Sequence, residues 1–337
     1  MKPLVLIDAD VLGRQRTGDE TYVAGLLRAL PAAADDLRFA AVTRRPELVP
    51  TGVEPVELRG RVQELRMAVR LPLLLRRLRP QLVHFVHALP PALPCAGVLT
   101  VQDLSFERDA TLMGRRETAI FKLVVPRSAR RAARVLAISQ RTKDDLVELY
   151  RLPEEKVVVT PLAHGDAFSP GDGGHDGYLL LAGAIEPRKN PLAAVAAAEA
   201  VGMPLVSVGP ERDASLAAEL RARGVDVRGF VPQEELVELY RRAACLLFPT
   251  RYEGFGLPVA EAMACGTPVV ATPDAAVREV GGAAIAYAQA EDFAGVLRDA
   301  LADRDRWSRA ALEQVGRFSW DATARRTADV YREALAL

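Results

Sequence analysis

Two carboxylates eight positions apart, Glu253 and Glu261, flank a glycine loop in FPTRYEGFGLPVAEAMACGTPVVAT, residues 248–272. Pro258 suits the first turn of a helix, and Glu261 lies three residues further on. A carboxylate so placed accepts two hydrogen bonds from a vicinal diol such as a ribose. Glu253 precedes the helix, on the loop, and can address a second group of the same ligand, such as sugar hydroxyls. Gly254 and Gly256 let main-chain N–H groups approach a ligand closely, and the helix N-terminus beyond them favours negative charge. Either glutamate alone reads better as a solvated surface residue. The pair, set between two apolar strands, reads as a ligand site.

A second constellation is Glu186-Pro187-Arg188-Lys189-Asn190. Adjacent cations at a strand end, with a helix opening at Pro191, suit a diphosphate: arginine offers a planar fork and lysine a point charge. Arginine is plentiful in this chain, so Arg188 alone says little. Lysine is rare, and the placement of Lys189 is the more telling.

The elements that must carry these residues follow from apolar periodicity. Short buried runs at 4–7, 39–43, 53–58, 82–86, 98–102, 134–138 and 157–160 predict parallel strands. Helical patterns at 21–30, 62–78, 117–134 and 141–150 lie between them. Gly18-Asp19-Glu20 is read as the start of the first helix with Asp19 as its cap, and Ser139 as the cap of the fourth. Pro72 is expected to break or kink the second. Residues 162–177, rich in Gly and Asp, read as an inter-domain linker. The pattern then restarts, with strands at 178–182, 205–208, 225–228, 245–248, 269–271 and 284–287. Helices are expected at 192–201, 213–223, 234–243, from Pro258, at 292–302, at 306–316 and from Asp321. Alternation of this kind predicts two doubly wound α/β domains in tandem.

Composition narrows the class. A chain of 337 residues exceeds one ordinary core. Its formal net charge of zero argues against bulk nucleic-acid binding. Cys95, Cys245 and Cys265 have neither the even number of a disulfide framework nor metal-site spacing, which suits a reducing compartment. The opening MKPLVLIDAD has an apolar run too short for a signal-peptide core, and a cytoplasmic location is expected. In 62–78, arginines alternate with leucines. The plain reading is an amphipathic helix with its arginines in water; the sharper one is a surface that meets anionic lipid.

These stretches resemble the retaining GT-B glycosyltransferases of the family-4 type. EGFGLPVAEAMACGTPVV is similar to that family's E-x7-E signature, Glu253 to Glu261. YLLLAGAIEPRKN resembles the start of its donor domain, and VRGFVPQEELVELYRRAACLLFPT the segment leading into the signature. VQDLSF, LAISQRTKDDL and FSWDATARRTADVYREAL are looser matches. The resemblance implies two Rossmann-like domains facing across a cleft: 1–165 on the acceptor side, 166–316 for the nucleotide-sugar donor, and a terminal helix, 317–337, crossing back onto the first. It implies catalytic roles for Glu253, Arg188 and Lys189. Glu253 would meet the donor sugar and Glu261 the nucleotide ribose. Amides of Gly254, Phe255, Gly256 and Leu257 would touch sugar and phosphates. Arg188 and Lys189 would neutralise the diphosphate, Gly183 would lie at the donor site, and the main chain near Val231 would line the base pocket. No metal is expected, because the four histidines form no ligand cluster.

The implied activity is retaining transfer of a hexosyl group, mannosyl or glucosyl, from a GDP- or UDP-linked sugar to a hydroxyl of a glycan or glycolipid, with peripheral membrane contact as a possible partner interaction. The alternatives are a nucleotide-sugar epimerase on the same fold and an inactive sugar-nucleotide binding protein. Acceptor-side candidates are Gly18, His84, Gln102 and Asp103. Family members often carry a His before the Asp where this chain has Gln102-Asp103. Glutamine cannot serve as a general base; His84 and His87 are the candidates to fill in, although a lone histidine is more often structural. A second glycine often found beside the one matching Gly18 is replaced here by Asp19 and Glu20. These would repel a diphosphate, and so are expected to point to a helix cap or an acceptor.

Overall fold

A computed structural model describes residues 2–14, 17–59, 69–108 and 114–337. The chain divides into two compact units, Met1–Ala163 with Ser319–Leu337, and His164–Phe318. The division falls inside the Gly- and Asp-rich stretch 162–177, whose polar, turn-forming residues bury little apolar surface.

Among the described residues the first unit holds strands β1 (Leu4–Asp8), β2 (Arg38–Thr43), β3 (Glu54–Glu57), β4 (Leu82–Val86), β5 (Ala96–Val101), β6 (Arg134–Ala137) and β7 (Val157–Val159). They form one parallel sheet in the order β3-β2-β1-β4-β5-β6-β7. Helices α1 (Thr17–Ala33), α2 (Leu71–Leu78), α3 (Ser105–Arg108), α4 (Arg115–Arg131) and α5 (Gln140–Tyr150) connect them. Leu71, Leu75, Val125, Ala129 and Leu146 bring α2, α4 and α5 into one core with Val83, Leu99 and Val135 of the sheet. The terminal helix α13 (Trp320–Ala336) belongs to this unit and packs on α1, β4, β5 and β6. Its approach to α1 is close: a Cβ at Gly25 would stand 2.3 Å from the Trp320 ring.

The structure bears on three local expectations. Helix α1 begins at Thr17, so Gly18 is helical and Asp19 and Glu20 lie in the first turn. Acidic side chains suit the positive helix end there without capping it. Pro72 lies in the first turn of α2, where a missing N–H costs nothing; residues 62–68 of the predicted long helix lie outside the described residues. Ser139 does cap α5, its Oγ accepting from the Thr142 N–H at 3.1 Å.

The second unit holds β8 (Tyr178–Ala182), β9 (Leu205–Val208), β10 (Asp226–Val227), β11 (Ala243–Phe248), β12 (Val269–Ala271) and β13 (Ala286–Tyr287), parallel in the order β10-β9-β8-β11-β12-β13. Its helices are α6 (Pro191–Val201), α7 (Ala214–Ala222), α8 (Gln233–Arg242), α9 (Leu257–Ala264), α10 (Ala275–Gly281), α11 (Phe293–Ala302) and α12 (Arg304–Val315). All of β11, AACLLF, is buried, as a strand covered on both faces must be. Helix α10 is not among the helices expected from the sequence. It runs for seven residues, too short for a convincing apolar period. Its signal was the cap: the Asp274 carboxylate accepts from Ala276 N–H at 2.9 Å and Val277 N–H at 3.4 Å.

In each sheet the strand order reverses at one place, between β1 and β4 and between β8 and β11. Loops leaving the carboxyl ends of strands at such a reversal cannot close over each other and leave a crevice.

Candidate functional site

The loop after β8 carries Gly183 to Asn190, and the loop after β11 carries Pro249 to Gly256. Since β8 and β11 are neighbours, the two loops meet at the reversal point of the second sheet. They are stitched by main chain: Arg251 N–H donates to Arg188 C=O at 2.9 Å. The Arg188 guanidinium donates to Tyr252 C=O at 2.8 Å and to Glu186 Oε1 at 3.0 Å, and lies 3.5 Å from Glu253 Oε1. Lys189 Nζ pairs with the same Glu253 oxygen, over the Phe248 ring at 5.1 Å from its centroid. The Thr250 hydroxyl donates to that oxygen at 2.9 Å.

So Arg188, Lys189 and Glu253, chosen from two separate motifs, form one buried network. Burial pushes the Glu253 carboxyl up, but Lys189, Arg188 and Thr250 together outweigh it and hold it below the ordinary carboxylate range. Burial in turn draws the Lys189 ammonium down against the pull of Glu253. With Glu186 and Arg212, which pair at 3.1 Å, the cluster contains three cations and two carboxylates and carries net positive charge. Arg188 is braced on the loop by several partners at once, whereas Lys189 presents a point charge. Glu186 was quoted in the sequence without a role, and Thr250 was missed; neither stands out from ordinary loop chemistry.

Gly183 has φ +127°, a conformation glycine accepts, and Lys189 Cε lies 3.6 Å from where its Cβ would be. Gly256 has φ +101° at the head of α9, with Pro258 in the first turn. Phe255 is buried edge-on against Phe318, ring centroids 5.6 Å apart. It anchors the loop, while the neighbouring main chain sits at the helix N-terminus. Leu257 is the first residue of α9. Val231 is buried in the loop after β10, at the sheet's edge.

Glu261 stands apart from that network. It is half-buried on α9, and its Oε2 accepts from the Tyr240 hydroxyl at 2.8 Å. Burial pushes its carboxyl up to about 7, with the Tyr240 hydrogen bond acting the other way. Tyr240 was missed by sequence reasoning, since a buried tyrosine on a helix reads as core.

In the first unit the acceptor-side candidates separate. His84 is sealed in the core on β4. Its Nδ1 meets Tyr331 Oη at 2.6 Å and its Nε2 meets Thr100 Oγ1 at 2.7 Å. Burial draws its pKa down to about 3. The expectation that it replaces a surface base is therefore corrected: both ring nitrogens are occupied and the ring is neutral. Asp103 lies just before α3, accepting from Ser105 N–H at 3.0 Å and Ser105 Oγ–H at 2.8 Å. Gln102 and Gly18 come together: Gln102 Oε1 lies 3.7 Å from where a Gly18 Cβ would be. The Gln102 side chain is buried, and its Nε2 has no hydrogen-bond partner among the described residues. A buried donor left unpaired costs about 1–3 kcal/mol unless water or another polar group meets it. His87, just after β4, has φ +64° and places Nε2 3.5 Å from Asp19 Oδ1. Glu20 accepts from Gly13 N–H at 2.6 Å. Among the described residues no group of three His, Cys, Asp or Glu side chains is arranged to hold a metal ion.

Comparison with known proteins meets this geometry from outside. The family described as "Glycosyl transferases group 1" matches residues 176–303, and "Glycosyltransferase Family 4" matches 16–163. The O-antigen chain mannosyltransferase B of Escherichia coli is 30% identical over 229 residues, 59% of this chain and 60% of that protein. The D-inositol 3-phosphate glycosyltransferase of Thermobispora bispora is 34% identical over 242 residues, 60% of this chain and 56% of that protein. The chain thus spans less than two thirds of the length of these curated relatives. Among solved structures, sucrose-phosphate synthase from Thermosynechococcus elongatus superposes with a TM-score of 0.80 at 19% identity, covering 100% of both chains, which is a likeness of fold.

Proposed function

Because the chain belongs to the family-4, group 1 glycosyltransferases, we propose that it moves a hexosyl group, mannosyl or glucosyl, from a GDP- or UDP-sugar to a hydroxyl of a glycan or glycolipid. The observation that carries this reading is the Arg188–Lys189–Glu253 network at the reversal point of the second sheet. In the proposed step the bond from the anomeric carbon to the diphosphate oxygen breaks, and its electron pair leaves with the diphosphate. The acceptor oxygen bonds to the same face of the anomeric carbon, and the acceptor's proton passes to the departing diphosphate. Configuration is retained and no metal takes part.

Each residue has a task in that step. Lys189 stabilises the charge that grows on the diphosphate, and Arg188 holds the loop that positions Glu253. Glu253, whose partners among the described residues reach Oε1, offers Oε2 to a sugar hydroxyl. Amides of Gly254 to Leu257 face the phosphates, the main chain near Val231 faces the base, and Glu261 takes the ribose diol.

The test is a thermal-shift panel of nucleotide sugars, followed by assay of nucleotide release with and without hydroxyl acceptors. A donor at a hundredfold excess over its Kd stabilises by about 2.7 kcal/mol, or roughly 5–10 °C for a unit of this size. If no nucleotide sugar shifts the melting temperature, the donor site is wrongly assigned. Sugar interconversion in donor alone identifies an epimerase instead, and binding without turnover identifies an inactive binding protein.

A surface feature favours an acceptor held at a membrane. On α4, Ile120 and Leu123 are 59% and 54% exposed, in line with Arg116 and Arg127. Before and on α2, Val69 and Leu73 are 46% and 58% exposed, in line with Arg76 and Arg77. Both helices bury their other faces in one core, and each leaves exposed apolar side chains in line with arginine, a pattern suited to anionic lipid. Among the described residues no helix is long and apolar enough to cross a membrane, and the proposed contact is peripheral. The protein is expected to sediment with phosphatidylglycerol vesicles and to lose most of that binding in Leu73→Ser/Ile120→Ser. Equal sedimentation of the variant, or none by the parent, removes the proposal.

A further inference from the structure

Resting on the proposed ribose role of Glu261, the geometry points to Tyr240 as a positioning residue that fixes the Glu261 carboxylate for the ribose diol, with Thr267 and Phe168 fixing the tyrosine. Helix α8 delivers the Tyr240 side chain, fully enclosed, to the flank of α9. Its hydroxyl donates to Glu261 Oε2 at 2.8 Å. Its main-chain carbonyl accepts from Thr267 Oγ1 at 2.6 Å, and Thr267 N–H donates to Ala262 C=O on α9 at 2.9 Å. Its ring meets Phe168 edge-on, centroids 5.8 Å apart. The tyrosine is thus tied at the main chain to the turn that ends α9, and at the ring to the segment that opens the second unit.

The physical need for such a brace is plain. A free glutamate carboxylate samples many rotamers, and ordering it on ligand binding costs affinity. A donor that occupies one lone pair of Oε2 orders the group beforehand and leaves its other lone pairs for two hydroxyls. The tyrosine hydroxyl is itself held neutral, because burial and the neighbouring Glu261 both raise its pKa. It therefore remains a donor throughout the working range. The same hydrogen bond opposes the effect of burial on the Glu261 carboxyl.

The test is Tyr240→Phe, which keeps the ring, the Phe168 contact and the main-chain bond to Thr267. UDP and GDP, each with its 2′,3′-dideoxy counterpart, are titrated calorimetrically into parent and variant. The parent is expected to prefer the ribose form of its nucleotide. The variant is expected to bind that form about tenfold more weakly and the dideoxy form as the parent does. Thr267→Val, which loosens the tyrosine without removing its hydroxyl, is expected to show the same selective loss in smaller measure, and keeps the test open if Tyr240→Phe does not fold. Equal weakening of both forms reduces Tyr240 to a packing residue. Full retention of ribose preference in both variants also overturns the proposal. A parent that does not distinguish the two forms overturns the ribose assignment of Glu261 first, and this inference with it.

Discussion

Lys189→Met is expected to destabilise the second unit by about 2–4 kcal/mol and to cut turnover by about 10²–10³. Methionine fills most of the lysine's volume over the Phe248 ring, so the loss is one of charge. Removing one partner of a buried ion pair costs about 3–5 kcal/mol, because the other charge stays behind in a poor solvent. Here Arg188, 3.5 Å from Glu253 Oε1, and the Thr250 hydroxyl at 2.9 Å retain part of the compensation, which places the effect toward the lower end. Calorimetry is expected to show the melting temperature lower by roughly 5–15 °C.

The loss also depends on pH in a definite direction. Glu253 has a folded-state pKa held below its ordinary value. It thus contributes stability that is present above that ordinary value and fades as pH falls through the folded one. With Lys189 removed, burial is less opposed and the carboxyl rises. The deficit of the variant is therefore larger at pH 7 than at pH 5. The double variant Lys189→Met/Glu253→Gln removes both charges and is expected to recover most of the stability while turnover remains lost, since the leaving diphosphate still lacks its cation. A single variant as active as the parent removes Lys189 from the chemistry. A double variant no more stable than the single shows that the two charges are not coupled.

That network also shows what could be read in the sequence. Arg188 and Lys189 lie 65 and 64 positions before Glu253 along the chain, and each was visible as a motif at a strand end. Their convergence follows from strand order, because β8 and β11 are neighbours only once the crossover is known. The strands themselves were legible because parallel strands buried on both faces are unbroken apolar runs. What escaped was set by context: α10 is too short to show a period. His84 was read as a candidate base because sequence does not distinguish a histidine at a strand's open end from one enclosed by Tyr331 and Thr100. Tyr240 was passed over for the converse reason, since its hydroxyl has a task only when α8 and α9 lie side by side. The glycines Gly183 and Gly209 share that dependence on neighbours.

Gly209→Ala is expected to abolish accumulation of folded second unit, a loss of more than about 4 kcal/mol. The residue sits just past β9 with φ +137°, where a side chain is strained whatever the space. A Cβ there would stand 2.2 Å from the carbonyl oxygen of Gly183 and 2.5 Å from its carbonyl carbon. Neither atom is the end of a flexible side chain. Gly183 is fixed by its N–H bond to Val208 C=O at 2.9 Å, and Gly209 by its own to Gly229 C=O at 2.8 Å. Relief requires parting β8 from β9 at the end that carries the loop to Lys189. Gly202→Ala is the control. It also has positive φ, +69°, but its Cβ would meet nothing within 4 Å, so only backbone strain of about 1–2 kcal/mol is added. The expected pair of results is a folded Gly202→Ala, melting a few degrees low and shifted normally by donor nucleotide, beside a Gly209→Ala that is insoluble or melts without cooperativity. A Gly209→Ala protein within 2 kcal/mol of the parent would show that β8 and β9 part easily, and that the floor beneath Lys189 is far softer than two opposed glycine main chains require.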